Sequence, residues 1–191
     1  EASRVASLVP LEKPGAFETV QRHIDEFAAK GLNLFTAGPE TMLGLAYALN
    51  GDIARGLKQI EDVIERRDAE GTGVAADWAR LFLCEVYLAI LSGEGGSSIG
   101  VLLRNLRSIG QVMIFGEKRT ISMLEQIRQN PQFDDRGHYI ARCDMILGLL
   151  HKARKRPELA RRHLSAARIV VETAGRSPML SRIDAALSEL G

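Results

Sequence analysis

Four histidines, His23, His138, His151 and His163, are the side chains of this sequence with the most metal and acid–base chemistry to offer. A zinc site needs ligands converging at short spacing. No His-x-x-x-His occurs, and His151 and His163 stand twelve residues apart on stretches that read as different helices. Packing and surface roles are expected for all four, with no metal bound. The acid pairs Glu61/Asp62 and Asp134/Asp135 would do acid–base work only if burial and a converging partner tuned them. Both stand where solvent or a helix cap is expected. Gly93 to Gly100 is Gly/Ser-rich like a phosphate cradle, yet it lacks a lysine and follows a helix instead of a strand. It reads as a flexible turn, with no nucleotide cofactor. There is no Gly-x-Ser-x-Gly nucleophile motif. No catalytic constellation emerges, so the residues speak first for architecture.

The elements that would position any site are helices throughout. At 191 residues, 46% hydrophobic and 26% charged, the chain has an ordinary globular balance and enough length for a substantial core. A net charge of +1 carries no overall signal for nucleic acid or an anionic membrane. No apolar run has the length to span a bilayer and no signal segment opens the chain, so a cytoplasmic location is the default expectation. The start at Glu1 instead of Met points to a fragment of something longer. Cys84 and Cys143 fall inside apolar-periodic segments and read as buried thiols.

Residues 1–15, with two prolines, read as a linker, and 16–191 as one helical repeat domain. Phe17, Val20, Ile24, Phe27 and Ala28 recur at helical spacing up to Gly31. A second helix carries Leu43, Gly44 and Tyr47 and breaks at Gly51-Asp52. Its partner runs from Ile53 to about Arg67, with Gly56, Ile60 and Val63 on one face. After the loop Glu70 to Gly73, Leu83-Cys84-Glu85-Val86-Tyr87 repeats the pattern, followed by the Gly/Ser-rich stretch Ser92 to Ser98. Ile99 to Phe115 is a further apolar helix, expected to bend or end at Gly116. Thr120 to Gln129 follows and Asn130-Pro131 stops it. A helix from about Arg136 to Lys155, capped by Asp134 or Asp135, holds Leu147-Gly148-Leu149-Leu150-His151, with His151 in the tyrosine place. Pro157 opens its partner, with Ala160, Leu164 and Ala167 inward and Gly175 as its stop. A last short helix spans Pro178 to Leu190. No segment alternates as a strand does, which makes the chain all-α, with eight to nine helices.

Leu43-Gly44-x-x-Tyr47 resembles the first helix of a tetratricopeptide repeat, written L-G-x2-Y. The resemblance implies a right-handed α-solenoid of antiparallel helix pairs ending in a capping helix. Glu40, Arg80 and Asp144 stand where the consensus has tryptophan, and the middle unit is enlarged, which favours a self-packing scaffold. In such a solenoid the inner wall would hold Thr41, Leu45 and Ala48, then Trp78, Leu81, Glu85 and Leu88, then Arg142, Met145, Leu149 and Lys152. The candidate partner-binding residues are therefore Trp78 as an apolar anchor, Glu85, and Arg142 and Lys152 as charge clamps; the plainer and favoured reading of Trp78 is packing between repeats. The run His151 to Arg156 is the most basic stretch. It reads as a solvated helix end, with docking of an acidic segment as the other reading.

Several longer segments carry a second resemblance. Ala76 to Leu88, Asn130 to Asp134, Gly137 to Arg142, Met145 to Leu150 and Ser177 to Leu187 resemble the C-terminal helical region of bacterial class III adenylate/guanylate cyclase-like signalling proteins. The resemblance implies that cyclase and ATPase modules would precede this chain and that no catalytic residue transfers onto it. The expected function is a non-catalytic regulatory and protein-interaction module. The partner would be another protein or a neighbouring domain, with self-association open and no nucleic acid or membrane expected. The alternative is the helical sensor tail of an ATP-dependent transcription regulator; an enzyme in its own right is a third reading.

Overall fold

The computed structural model describes residues 15–93, 99–133, 137–173 and 178–191, and among them the chain is all-helical with no strand. Nine α-helices follow in order: α1 Ala16–Ala29, α2 Ala37–Leu49, α3 Ile53–Ala69, α4 Gly73–Ser92, α5 Ile99–Arg104, α6 Leu106–Gln129, α7 His138–Ala153, α8 Pro157–Thr173 and α9 Pro178–Ser188. A short 3-10 helix, Asn33–Thr36, leads into α2. Two compact units divide these residues. One is drawn from Glu1–Val86 with Gly95–Gln111, the other from Tyr87–Glu94 with Val112–Gly191.

In the first unit, Ala16, Val20 and Ile24 of α1 bury against Leu43, Ala46 and Tyr47 of α2. The same α2 packs its other side on α3 through glycine. A methyl group added at Gly56 would stand 2.5 Å from the Gly44 carbonyl oxygen and 2.7 Å from the Ala48 nitrogen. Those are backbone atoms, so the two helices touch main chain to main chain. The turn between them closes with the Asp52 amide donating to the Tyr47 carbonyl at 2.9 Å, and Gly51 takes the left-handed φ of 87° that this closure demands. The Asp52 carboxylate then accepts from the Arg55 amide and caps α3.

In the second unit, α7 and α8 repeat this hairpin. Gly148 follows Gly44 by 148 − 44 = 104 residues, and the same offset carries the bounds of α3 onto those of α8 without a gap. Buried Gly56, Ile60, Val63 and Arg67 map onto buried Ala160, Leu164, Ala167 and Val171. A methyl group at Gly148 would meet Leu164 at 2.6 Å, as one at Gly44 would meet Ile60 at 2.7 Å. The turn closes in the same way, with the Arg156 amide donating to the His151 carbonyl at 2.9 Å. Here Lys155 occupies the left-handed position, at φ 55°. Pro157 and Pro178 open α8 and α9, where the missing N–H costs nothing.

The expected break at Gly116 is not there: α6 runs unbroken from Leu106 to Gln129. Gly116 is a packing residue, with the Val112 side chain and Leu91 filling the space a methyl group would take. The break falls at Asn105, which is buried. Its amide donates to the Gly51 carbonyl at 2.8 Å and to Val101, and its carbonyl accepts from the Ala54 amide at 3.1 Å. One side chain thus satisfies both helix ends at the α2–α3 turn. Cys84 and Cys143 are buried free thiols. The Asp134/Asp135 caps, the glycines of 94–98, Gly175 and most of the linker 1–15 lie outside the described residues.

Candidate functional site

The four residues expected to bind a partner divide between the units. Trp78 and Glu85 lie seven apart on α4, one helical face. Trp78 is half-buried and its ring packs on Phe82 at 4.5 Å and a 55° tilt, so much of its apolar surface is engaged within its own helix. Arg142 and Lys152 belong to α7. Both are half-buried, and Lys152 pairs with Glu189 at 2.5 Å. Of the expected inner wall, Thr41, Leu81, Leu88, Met145 and Leu149 are buried in the chain itself. The basic run is largely neutralised at home. Arg154 and Arg156 both reach Glu117, at 2.8 and 2.7 Å, and His151 is buried. Burial pushes the Glu117 carboxyl up, but Arg156 and Arg154 outweigh it and hold the group below its ordinary 4.5.

The positions that depart from the tryptophan consensus are ion-pair centres. Glu40, almost fully buried, accepts from Arg66 at 2.6 Å. Beside it Arg67 is wholly buried, donating to the Thr36 hydroxyl at 2.8 Å and to Glu70 at 2.5 Å. Burial raises the Glu40 carboxyl above its ordinary 4.5, against the pull of Arg66, Thr36 and Arg67. Arg80 joins Asp77 at 2.5 Å and also Asp68. In the second unit Asp144 accepts from Arg128 and meets His163 Nδ1 at 2.8 Å. His151 stacks on His163 with ring centroids 5.6 Å apart. Burial first, then the nearby His163 and Arg156, push the His151 imidazole below its ordinary 6.5, with Glu117 opposing. Among the described residues no three histidine, cysteine or acidic side chains converge as a metal would require.

An open groove of about 530 Å³ lies in the first unit, between α1 and the α2–α3 turn. Its wall is one face of α1, with Phe17, Glu18, Gln21, Arg22 and Asp25; Tyr47 and Arg55 complete it. Phe17 and Tyr47 stack at 4.7 Å and 22°, and the Arg55 guanidinium lies 3.8 Å over the other face of Tyr47. The ring is therefore sandwiched, and a cation–π contact holds the Arg55 guanidinium against it. Arg55 and Arg22 form no ion pair with any described residue. Burial raises the Tyr47 hydroxyl above its ordinary 10.0, with Arg55 opposing. The chain matches no family model, no curated protein and no solved structure. The groove offers an aromatic floor, two guanidiniums and two carboxylates. That set suits holding a mixed-charge segment and contains no nucleophile placed against a base.

Tyr47 stands out in the sequence as a space-filler of the repeat, but its role as the floor of a groove does not. The available signal is Arg55, one helical start beyond the Gly51-Asp52 turn. Arg67 gives no such signal, because a charged residue in a polar run normally stays in solvent.

Proposed function

We propose that this chain is a non-catalytic regulatory and protein-interaction module, built of tetratricopeptide-like antiparallel helix pairs and belonging to a larger signalling protein of the nucleotide-cyclase-like kind. The observation that carries this reading is the ungapped repetition of one hairpin, α2–α3 and α7–α8, with the same glycine contact and the same turn closure. A hairpin of this kind cannot bury its apolar face alone, and stacking such units into a solenoid is the usual solution. Scaffolds of stacked hairpins present grooves, and the Phe17–Tyr47–Arg55 groove is one that a peptide segment fits in size and chemistry. Docking of a partner there would shift the population of active states in the attached enzyme, by as much as the partner prefers one state over the other.

Cyclic-nucleotide production by the natural full-length protein tests this, with ATP and GTP supplied in turn and residues 16–191 present or deleted. The reading expects production by both forms at different rates. Absence of any cyclic nucleotide from the intact protein would remove the cyclase assignment. Equal rates with and without the module would remove the regulatory role.

A further inference from the structure

A second docking surface lies in the first unit, on α5 and the start of α6. The stretch Leu102-Leu103-Arg104-Asn105-Leu106-Arg107 turns every side chain except Asn105 outward. Leu103 is 69% exposed, Leu106 67% and Leu102 43%. Arg104 and Arg107 are exposed as well, and neither pairs with any described residue. A buried residue explains this arrangement. Asn105 is held by Gly51, Ala54 and Val101 through three hydrogen bonds, and the helix breaks there. With Asn105 pinned inward, its neighbours on both sides are driven into solvent. Three neighbouring leucines with 43%, 69% and 67% of their surface in water make a contiguous apolar patch that costs solubility.

We propose that this patch is the docking site for an acidic amphipathic helix of a partner protein. Leu103 and Leu106 would meet two apolar residues one turn apart on that helix, and Arg104 and Arg107 its flanking carboxylates. The charges commit the choice. Both free charges on the patch are guanidiniums, which match carboxylates in a planar fork. An anionic bilayer fits less well. The chain as a whole carries only +1, so no long-range attraction draws it to a membrane, and three leucines with two arginines fall short of stable interfacial anchoring. Arginine beside a cluster of apolar anchors is the usual make-up of an interface hot spot. The Asn105 pin adds rigidity, so little side-chain and backbone freedom remains to be lost on binding. The proposal rests on the reading of the chain as an interaction module, but not on its attachment to a cyclase.

The test is fluorescence anisotropy of a labelled synthetic helix, with a leucine stripe flanked by glutamates, titrated with the 191-residue chain. Saturable binding is expected. Arg104→Glu with Arg107→Glu should weaken it by about tenfold or more, and so should Leu103→Ser. A version of the probe with lysine for glutamate should bind the doubly substituted chain and not the natural one. All of these positions are exposed, and unchanged thermal melting of each variant separates loss of docking from loss of fold. No binding of the glutamate probe, binding indifferent to the substitutions, or preferential binding to phosphatidylcholine–phosphatidylserine vesicles would each overturn the proposal. None of these readings depends on cyclic-nucleotide production, so the two proposals fail separately.

Discussion

The hairpin α2–α3 and the hairpin α7–α8 share one frame and are held by different means. Both cross at a glycine and both close with the same backbone hydrogen bond. In the first, the facing position is a second glycine, Gly56, and the main chains touch; in the second it is Ala160. Arg67 and Val171 occupy the same inward place, one a buried cation with three partners and the other a plain apolar residue. Tyr47 is stacked between Phe17 and Arg55, whereas His151 is stacked on His163. The frame is therefore set by the small residues and the turn, while the inward faces diverge. At the Arg67/Val171 place the first hairpin buries a cation at the cost of desolvation and the second packs a methyl-bearing side chain, while the polar centre of the second sits instead at Asp144 with Arg128 and His163.

The largest consequence lies at Arg67. Arg67→Ala removes a buried cation and takes a hydrogen-bond partner from Thr36 and from Glu70, so a loss of about 3–5 kcal/mol is expected in denaturant unfolding. Val171→Ala, the matched change, should cost only about 1–2 kcal/mol. Equal losses would deny that the two faces are built differently. Next in size is Gly56→Ala, which forces a methyl group against main-chain atoms and should cost about 1–3 kcal/mol. The reverse change in the second hairpin, Ala160→Gly, should cost about 1 kcal/mol through helix propensity alone. Smaller again is the turn. Gly51→Ala would pay about 1–2 kcal/mol for a left-handed residue with a side chain, and its methyl group would press on Val101. Lys155→Gly relieves that cost and should raise the melting temperature.

The smallest effect is the dependence on pH, and it separates the units by sign. The unfolded His151 takes a proton near 6.5, whereas the folded one resists it. Its contribution to stability is therefore present above 6.5 and lost as pH falls through that value toward the folded one. Glu40 behaves oppositely. Its folded value lies above 4.5, so its contribution is full below 4.5 and lost as pH rises through the folded value. Mild acidification should loosen the second unit before the first. His151→Tyr, which copies the first hairpin, should remove much of that sensitivity in a pH series of thermal melts.

Much of the helical layout is legible in the residues themselves. Leu43-Gly44-x-x-Tyr47 and Leu147-Gly148 mark two helices, and Gly31, Gly51 and Gly71 together with Pro157 and Pro178 place their ends to within a residue or two. Those signals are local, and local chemistry decides them. Asn105 shows the limit. Its hydrogen bonds reach residues more than fifty positions away, so nothing in its own neighbourhood marks it as the break. Gly116 shows the converse: a glycine that ends helices elsewhere is here kept for close packing. Burial of Arg67 likewise depends on Thr36, a partner 31 residues distant. Repeat position points to Trp78 and Lys152 as partner-binding, but spacing alone does not reveal their contacts with Phe82 and Glu189.

Hydrogen exchange on Gly56→Ala, read peptide by peptide beside the natural chain, tests most directly whether the first hairpin is a main-chain contact at its two glycines. Protection should fall across Ala37–Ala69 and stay unchanged across Ala141–Thr173. Undiminished protection across Ala37–Ala69 would contradict the account, because a methyl group at position 56 would then have found room that the close approach of α2 and α3 does not leave.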